Sequence, residues 1–323
     1  VGCDAAPRNR PSQHPRVGHS FLAPRMNSIE WAQHMAQQHS SLQIGNPPDL
    51  ADVQRGVQTE DSFAASLMAA RLLGFLEHDA QCVAQAWAAQ TQRTGSFDPA
   101  AWPEEPADFG LSTEPSASAF PNCPQALGLY AVLPDAAWVA RMVALGVPTV
   151  QLRFKSDDAA AVQREVQAAV KAVQGSQSLL FINDHWEAAI EAGAYGVHLG
   201  QEDMQDAPLE RIRASGLRLG LSSHGYVEML RAAQHEPSYI ALGAVFPTTL
   251  KRMETAPQGL GRLNKYARLM RHRSLVAIGG IDLAAMPSVL QSGVGSVAVV
   301  RAITGAEDVA ASVRQLLACM QAK

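Results

Sequence analysis

The chain has 323 residues, 47% of them hydrophobic and 17% charged, and a formal net charge of −4. This composition supports a sizeable core and excludes a disordered or coiled-coil chain. No apolar run approaches the roughly 18–20 residues that span a bilayer, and no basic cluster marks a nucleic-acid binder.

Residues 1–26 are polar and Pro-rich, lack the apolar stretch of a secretory signal, and are expected to be disordered, with Met26 a candidate natural start. Residues 27–96 read as a smaller, mainly helical extension, with two amphipathic helices expected in "TEDSFAASLMAARLLGFLEHDAQCVAQAWAAQ" (59–90). Residues 97–126 are rich in Pro, Ser and acid and read as a linker. Charge changes across this boundary. Residues 1–126 hold 7 Lys and Arg against 13 Asp and Glu, and the remainder holds 19 against 17. Cys3, Cys82, Cys123 and Cys319 stand far apart without metal-ligand spacing, so a reducing cytoplasm is the expected setting.

From residue 127 onward, short β-rich apolar runs alternate with helix-period segments. The strands expected are 128–134, 149–155, 179–184, 196–201, 218–224, 239–246, 275–281 and 296–303. Their near-continuous apolar character is that of parallel strands buried on both faces. Eight strand–helix units in about 195 residues is the count for an α/β fold of the (β/α)8 TIM-barrel type. A doubly wound open sheet is the competing arrangement. The barrel is expected to close without the residues that precede it.

In a barrel, functional groups belong at the carboxyl ends of the strands. Those ends carry Gln151, Arg153 and Lys155, then Asn183 and Asp184, then Gln201 and Asp203, then Ser222, Ser223 and His224. The sixth loop, "FPTTLKRMETAPQG", adds Thr248, Thr249 and Lys251. The seventh and eighth strands end at "IGGI" and "VVRAI", with Gly280, Val300 and Arg301. Asp184 and Asp203 each suit a helix cap, but two such ends on neighbouring strands can also converge on one Mg²⁺. Glycine amides and Arg301 suit a phosphate after the last two strands. A second set of cations, Arg153, Lys155 and Lys251, faces it. The rim thus suits one diphosphate with Mg²⁺ and one monophosphate. His198, mid-strand among apolar residues, reads as a core histidine, and His224 as a loop or capping one.

The motifs "TVQLRFK", "FINDHWEAAIEAGAYGVHLGQED", "LGLSSH", "LGAVFPTTLKRMETAPQGL", "VAIGGI" and "VAVVRAI" resemble those of thiamine-phosphate synthases, in that order, over residues 127–323. The resemblance implies joining of a hydroxymethyl-pyrimidine diphosphate to a thiazole phosphate, with pyrophosphate released through a dissociative pyrimidine-cation mechanism. It implies that Gln151, Arg153, Lys155 and Asn183 hold the pyrimidine diphosphate, and that Asp184 and Asp203 bind Mg²⁺. It assigns Ser222 to the pyrimidine, Lys251 to the diphosphate, and Thr248, Gly280, Val300 and Arg301 to the thiazole phosphate. Lys155, Ser222 and Lys251 would be the catalytic groups. Small-molecule substrates are the implied partners, with no nucleic acid and no membrane. The sequence departs from the family pattern at Phe154, where an acid is usual, at Leu250, where a hydroxyl is usual unless Thr249 substitutes, and at Arg301, where a Ser is usual.

In the extension, Asp61-Ser62-Phe63 before a small-residue helix resembles the anion-hole segment of ribokinase-like hydroxymethylpyrimidine kinases, without its glycines. A degenerate kinase remnant and an unrelated helical extension both fit. Two readings compete with the synthase: a thiazole tautomerase-like paralogue, and a non-catalytic protein that binds thiamine precursors.

Overall fold

The apolar runs after residue 127 pair in sequence order. The strands are β1 (Gly128–Leu133), β2 (Thr149–Leu152), β3 (Leu179–Asn183), β4 (Gly196–Leu199), β5 (Arg218–Ser223), β6 (Tyr239–Leu242), β7 (Leu275–Ile278) and β8 (Ser296–Val299). In the computed structural model, which describes residues 26–57, 61–248 and 255–321, these strands are parallel and close as β1-β2-β3-β4-β5-β6-β7-β8. Closure is the pairing of β1 with β8, Tyr130 opposite Ala298 and Ala131 opposite Val299. The open-sheet alternative is thereby excluded. Residues 1–25, Thr249 and Lys251 lie outside the described residues.

The extension consists of α1 (Ser28–Gln38), α2 (Leu50–Val53), α3 (Ser62–Leu72) and α4 (Glu77–Thr94). The barrel adds α5 (Ala136–Ala144), α6 (Ala159–Val173), α7 (Trp186–Ala192), α8 (Gln201–Asp206), α9 (Leu209–Ala214), α10 (Tyr226–Gln234) and α11 (Gly259–Leu269). It ends with α12 (Met286–Leu290), α13 (Arg301–Thr304) and α14 (Val309–Gln321). The run expected as strand over 296–303 stops at Val299. The Ile303 and Thr304 amides turn back to the Val300 carbonyl at 3.0 and 2.9 Å, which makes Arg301 the first residue of a helical turn.

Two apolar layers hold the barrel. Leu127, Tyr130, Val132, Phe181, Tyr239 and Val276 fill its interior. A second, continuous layer between strands and helices runs on into the extension through Leu42, Leu73, Phe75, Val83 and Trp87. α3 is buried nearly all round, where the sequence suggested an amphipathic helix, because its Ala-rich surface packs between α1 and α4. Asp61, the residue of the kinase-like segment, caps this helix by accepting from the Ala64 amide at 2.8 Å.

The extension and barrel meet along α10 and α11. Arg262 of α11 is 3% exposed, too buried for a cation without partners. Its guanidinium donates to the Leu42 carbonyl at 3.0 Å and the Leu73 carbonyl at 2.9 Å, and lies 3.6 Å from the Phe75 ring centroid. Tyr226 of α10 accepts from the Trp102 indole at 2.9 Å and stacks on Phe109. Residues 97–126 hug the barrel: Trp102 and Phe120 are buried, Glu104 pairs with Lys265 at 2.6 Å, and Ser238 donates to the Pro121 carbonyl at 2.6 Å.

Candidate active site

The carboxyl ends of the strands open into one cavity of about 800 Å³. Its walls gather Gln151, Arg153, Asn183, Asp184, Asp203, Ser222, Thr248, Gly280, Val300 and Arg301, contributed by seven of the eight strands and their loops. Lys155 is exposed and does not line the cavity. Thr249 and Lys251 belong to the stretch outside the described residues.

The end of β3 makes an abrupt turn. Asp184 adopts φ 63°, in the left-handed region that Asp tolerates better than most residues. The Asp184 amide donates to the His198 carbonyl at 3.0 Å, and the Trp186 amide returns to the Asp184 carbonyl at 2.8 Å. His185 Nε2 lies 3.0 Å from the Phe154 carbonyl, which ties this turn to the loop after β2. The turn presents the Asp184 carboxyl to that of Asp203, in the first turn of α8. Asp203 also accepts from the Gly200 amide at 3.3 Å, so its capping and cavity roles coexist. Burial, the Asp203 charge and a hydrogen bond between the two carboxyls push the Asp184 group up to about 6, while Arg153 and His185 pull the other way.

This pair fits a hard dication. It supplies oxygen donors only, and a cation between the two groups would remove the repulsion that raises Asp184. No cluster of three or more His, Cys, Asp or Glu able to hold a metal occurs among the described residues. The pair would therefore leave most positions of an octahedral shell to water or to substrate oxygens, as magnesium sites commonly do.

The opposite wall is built of backbone. Gly279 and Gly280 have φ 104° and 65°. A Cβ on Gly280 would lie 2.6 Å from the Pro247 carbonyl oxygen, and one on Gly279 would lie 2.5 Å from Ala244 Cα. Only glycine permits this close turn, which lies beside Val300 and Arg301 at the end of β8.

The floor is a hydrogen-bonded chain that sequence reading did not foresee. Gln151 Nε2 donates to the Tyr130 hydroxyl at 3.2 Å, which lies 2.8 Å from the Tyr239 hydroxyl. Tyr239 lies 2.8 Å from His198 Nδ1, and His198 Nε2 lies 2.8 Å from Ser222 Oγ. Burial holds both phenols well above the usual tyrosine range, so each remains a protonated donor. His198 is the buried histidine expected, but it also faces the cavity. The available signal was one polar-tipped aromatic at an inward position in each of β1 and β6.

The family model described as thiamine monophosphate synthase matches residues 129–303. The thiamine-phosphate synthase of Neisseria meningitidis serogroup B is 54% identical over 195 residues, covering 60% of this chain and 95% of that protein. The Yersinia pseudotuberculosis serotype O:1b enzyme of the same name is 48% identical over 204 residues, covering 63% and 95%. The structure of thiamine phosphate pyrophosphorylase from Pyrococcus furiosus superposes with a TM-score of 0.55 at 29% identity, covering 60% of this chain and 96% of that one. With its closed barrel, and with a family match that takes in β2 through β8, the chain belongs to the thiamine monophosphate synthase family.

Proposed function

We propose that the protein is a thiamine-phosphate synthase that joins 4-amino-2-methyl-5-pyrimidinylmethyl diphosphate to thiazole phosphate, giving thiamine phosphate and pyrophosphate. The observation that carries this reading is a single cavity with two unlike walls. One wall holds the Asp184–Asp203 pair and Arg153, and the other holds the Gly279-Gly280 turn and Arg301. Between them lies the buried polar floor from Gln151 to Ser222.

Gln151, Arg153 and Asn183 would receive the pyrimidine diphosphate inside the cavity, and the exposed Lys155 would reach it by swinging its long side chain over the rim. Asp184 and Asp203 would hold Mg²⁺, which when bound supplies positive charge for the diphosphate oxygens. The bond between the pyrimidine methylene and the diphosphate oxygen breaks with its electron pair leaving on pyrophosphate. The electron-rich aminopyrimidine carries the resulting cation, and the thiazole nitrogen lone pair closes the new bond. Lys155 and Lys251 would offset charge on the leaving group, an electrostatic role that needs no covalent nucleophile. Ser222, fixed by His198, would orient the pyrimidine. Thr248, Thr249, Gly280, Val300 and Arg301 would surround the thiazole phosphate.

No helix among the described residues is long and apolar enough to cross a membrane. The cytoplasm is the proposed compartment, in keeping with the unpaired Cys82, Cys123 and Cys319.

The test is to incubate the chain with both precursors and Mg²⁺ and to follow each compound by chromatography. Formation of thiamine phosphate supports the proposal. Isomerisation of a thiazole precursor without consumption of the pyrimidine diphosphate would point to a tautomerase. Binding of both precursors without turnover would point to a precursor-binding protein.

A further inference from the structure

We infer that Asp79, in the helical extension, is a positioning residue for this reaction: it caps α10 from outside the barrel and so sets the loop after β5 at the cavity wall. The inference rests on the synthase reading above.

The first amides of a helix need acceptors, which the residue before the helix usually supplies. For α10 that residue is Gly225, which has no side chain. Asp79 of α4 takes its place: its Oδ1 accepts from the Val227 amide at 2.8 Å. The carboxyl is 4% exposed, so this contact lies inside the joint between extension and barrel. Gly225 is there for space. Its φ of −178° is extended backbone open to any residue, but a Cβ would lie 2.2 Å from Asp79 Oδ2, and the next two nearest atoms also belong to Asp79. Burial pushes the Asp79 carboxyl up, while the Val227 amide opposes that, and the helix dipole also favours a negative group at this end.

The same turn reaches the cavity. Glu228, one residue beyond the capped amide, accepts from the His224 amide at 2.9 Å, and its Oε2 lies 2.6 Å from His224 Nδ1. Burial pushes the Glu228 carboxyl up, but its contacts with His224 outweigh that and hold it below the usual range. His224 lines the cavity beside Ser222 and Ser223. A contiguous path therefore runs from Asp79 through the first turn of α10 to Glu228, His224 and the end of β5. Asp79 lies outside residues 129–303, the stretch that matches the family model, so this support comes from the extension.

The experiment compares Asp79→Ala, Asp79→Asn, Gly225→Ala and the double variant Asp79→Ala/Gly225→Ala. It measures kcat/KM for the pyrimidine diphosphate, Tm, and the ¹⁵N resonances of the His224 imidazole. Asp79→Ala should lower kcat/KM about tenfold, since small misplacements of a cavity wall are costly, and should shift the His224 signal. Gly225→Ala should reproduce both effects, and the double variant should return to the Asp79→Ala level because the carboxyl that the new Cβ strikes is gone. Arg93→Gln breaks the pair between Arg93 of the extension and Asp108 of the 97–126 segment, and should lower Tm while leaving kcat/KM within about twofold. If Asp79→Ala does not fold, Gly225→Ala carries the same readouts, while Asp79→Asn keeps an acceptor for the Val227 amide and should stay near wild type. A lowered Tm with wild-type kcat/KM and an unmoved His224 signal would overturn the inference and leave Asp79 a purely structural cap. If the wild-type chain makes no thiamine phosphate, the synthase reading fails, and the His224 signal alone decides: a shift in Asp79→Ala supports the coupling, and no shift overturns it.

Discussion

Asp184, held at φ 63° at the end of β3, meets the carboxyl of Asp203 in the first turn of α8, and burial together with this contact raises its pKa to about 6. Two acidic groups at neighbouring strand ends act here as a pair. Asp184→Asn or Asp203→Asn should lower turnover on the order of a hundredfold and raise the Mg²⁺ concentration needed, since each removes a charged oxygen donor. Titrating Mg²⁺ against initial rate for each variant checks this. Wild-type rates at ordinary Mg²⁺ in both would contradict it.

The same contact sets a pH dependence. Asp184 has a folded-state pKa raised above its unfolded value, so its stabilising contribution is present below the unfolded value and is lost as pH rises through about 6. Without metal, the protein should therefore lose stability between about pH 4 and pH 7 at this group. Mg²⁺ must displace the shared proton, so its apparent affinity should fall by up to about tenfold per pH unit below 6. The Mg²⁺-induced rise in Tm should be larger at pH 7.5 than at pH 5, and Asp184→Asn should flatten the difference. An equal rise at both pH values in the wild type would argue against the shared proton.

The barrel was legible because buried parallel strands are nearly continuous apolar runs, and because β-to-α punctuation recurs eight times. The strand-end groups Gln151, Arg153, Asn183, Asp184 and Ser222 were legible as polar residues that close such runs, and the cavity brings them together. The floor was not. Tyr130 and Tyr239 look like ordinary core aromatics, and their link to His198 crosses strands that are distant in sequence. The polar composition of residues 97–126 hid two anchors, Trp102 and Phe120, whose burial depends on a surface formed by α10 and its neighbours. The Asp79–Val227 contact spans 148 residues and has no local signature.

Arg301 stands where the resemblance gives a Ser, and Leu250 where it gives a hydroxyl. A guanidinium can offer a phosphate two parallel donors. Arg301→Ala should raise KM for the thiazole phosphate far more than for the pyrimidine diphosphate. A lost charge-assisted contact is worth roughly 1.5–3 kcal/mol, on the order of ten- to a hundredfold. Arg301→Ser should lose less. If neither constant moves, Thr249 or the Gly279-Gly280 amides hold that phosphate without it.

The strand ladder closes without the extension, but the outer face of α10 and α11 does not finish without it. A chain beginning at Gln125 would bare Tyr226, Tyr266 and Arg262, which are 0%, 3% and 3% exposed in the full chain. It should form the barrel with a markedly lower Tm, because burying one large side chain contributes about 1.5–3 kcal/mol. Calorimetry of both chains gives the comparison. Equal Tm values would mean that the packed joint contributes nothing to barrel stability.

Joining of two phosphorylated rings in this cavity, with release of pyrophosphate, is tested by a single-turnover reaction of the full chain with both precursors, in which thiamine phosphate and pyrophosphate are quantified together with and without EDTA. The two products should appear in one-to-one ratio at the same rate, and EDTA should stop both. Pyrophosphate released without thiamine phosphate, or no product from an enzyme that binds both precursors in the presence of Mg²⁺, would contradict the claim.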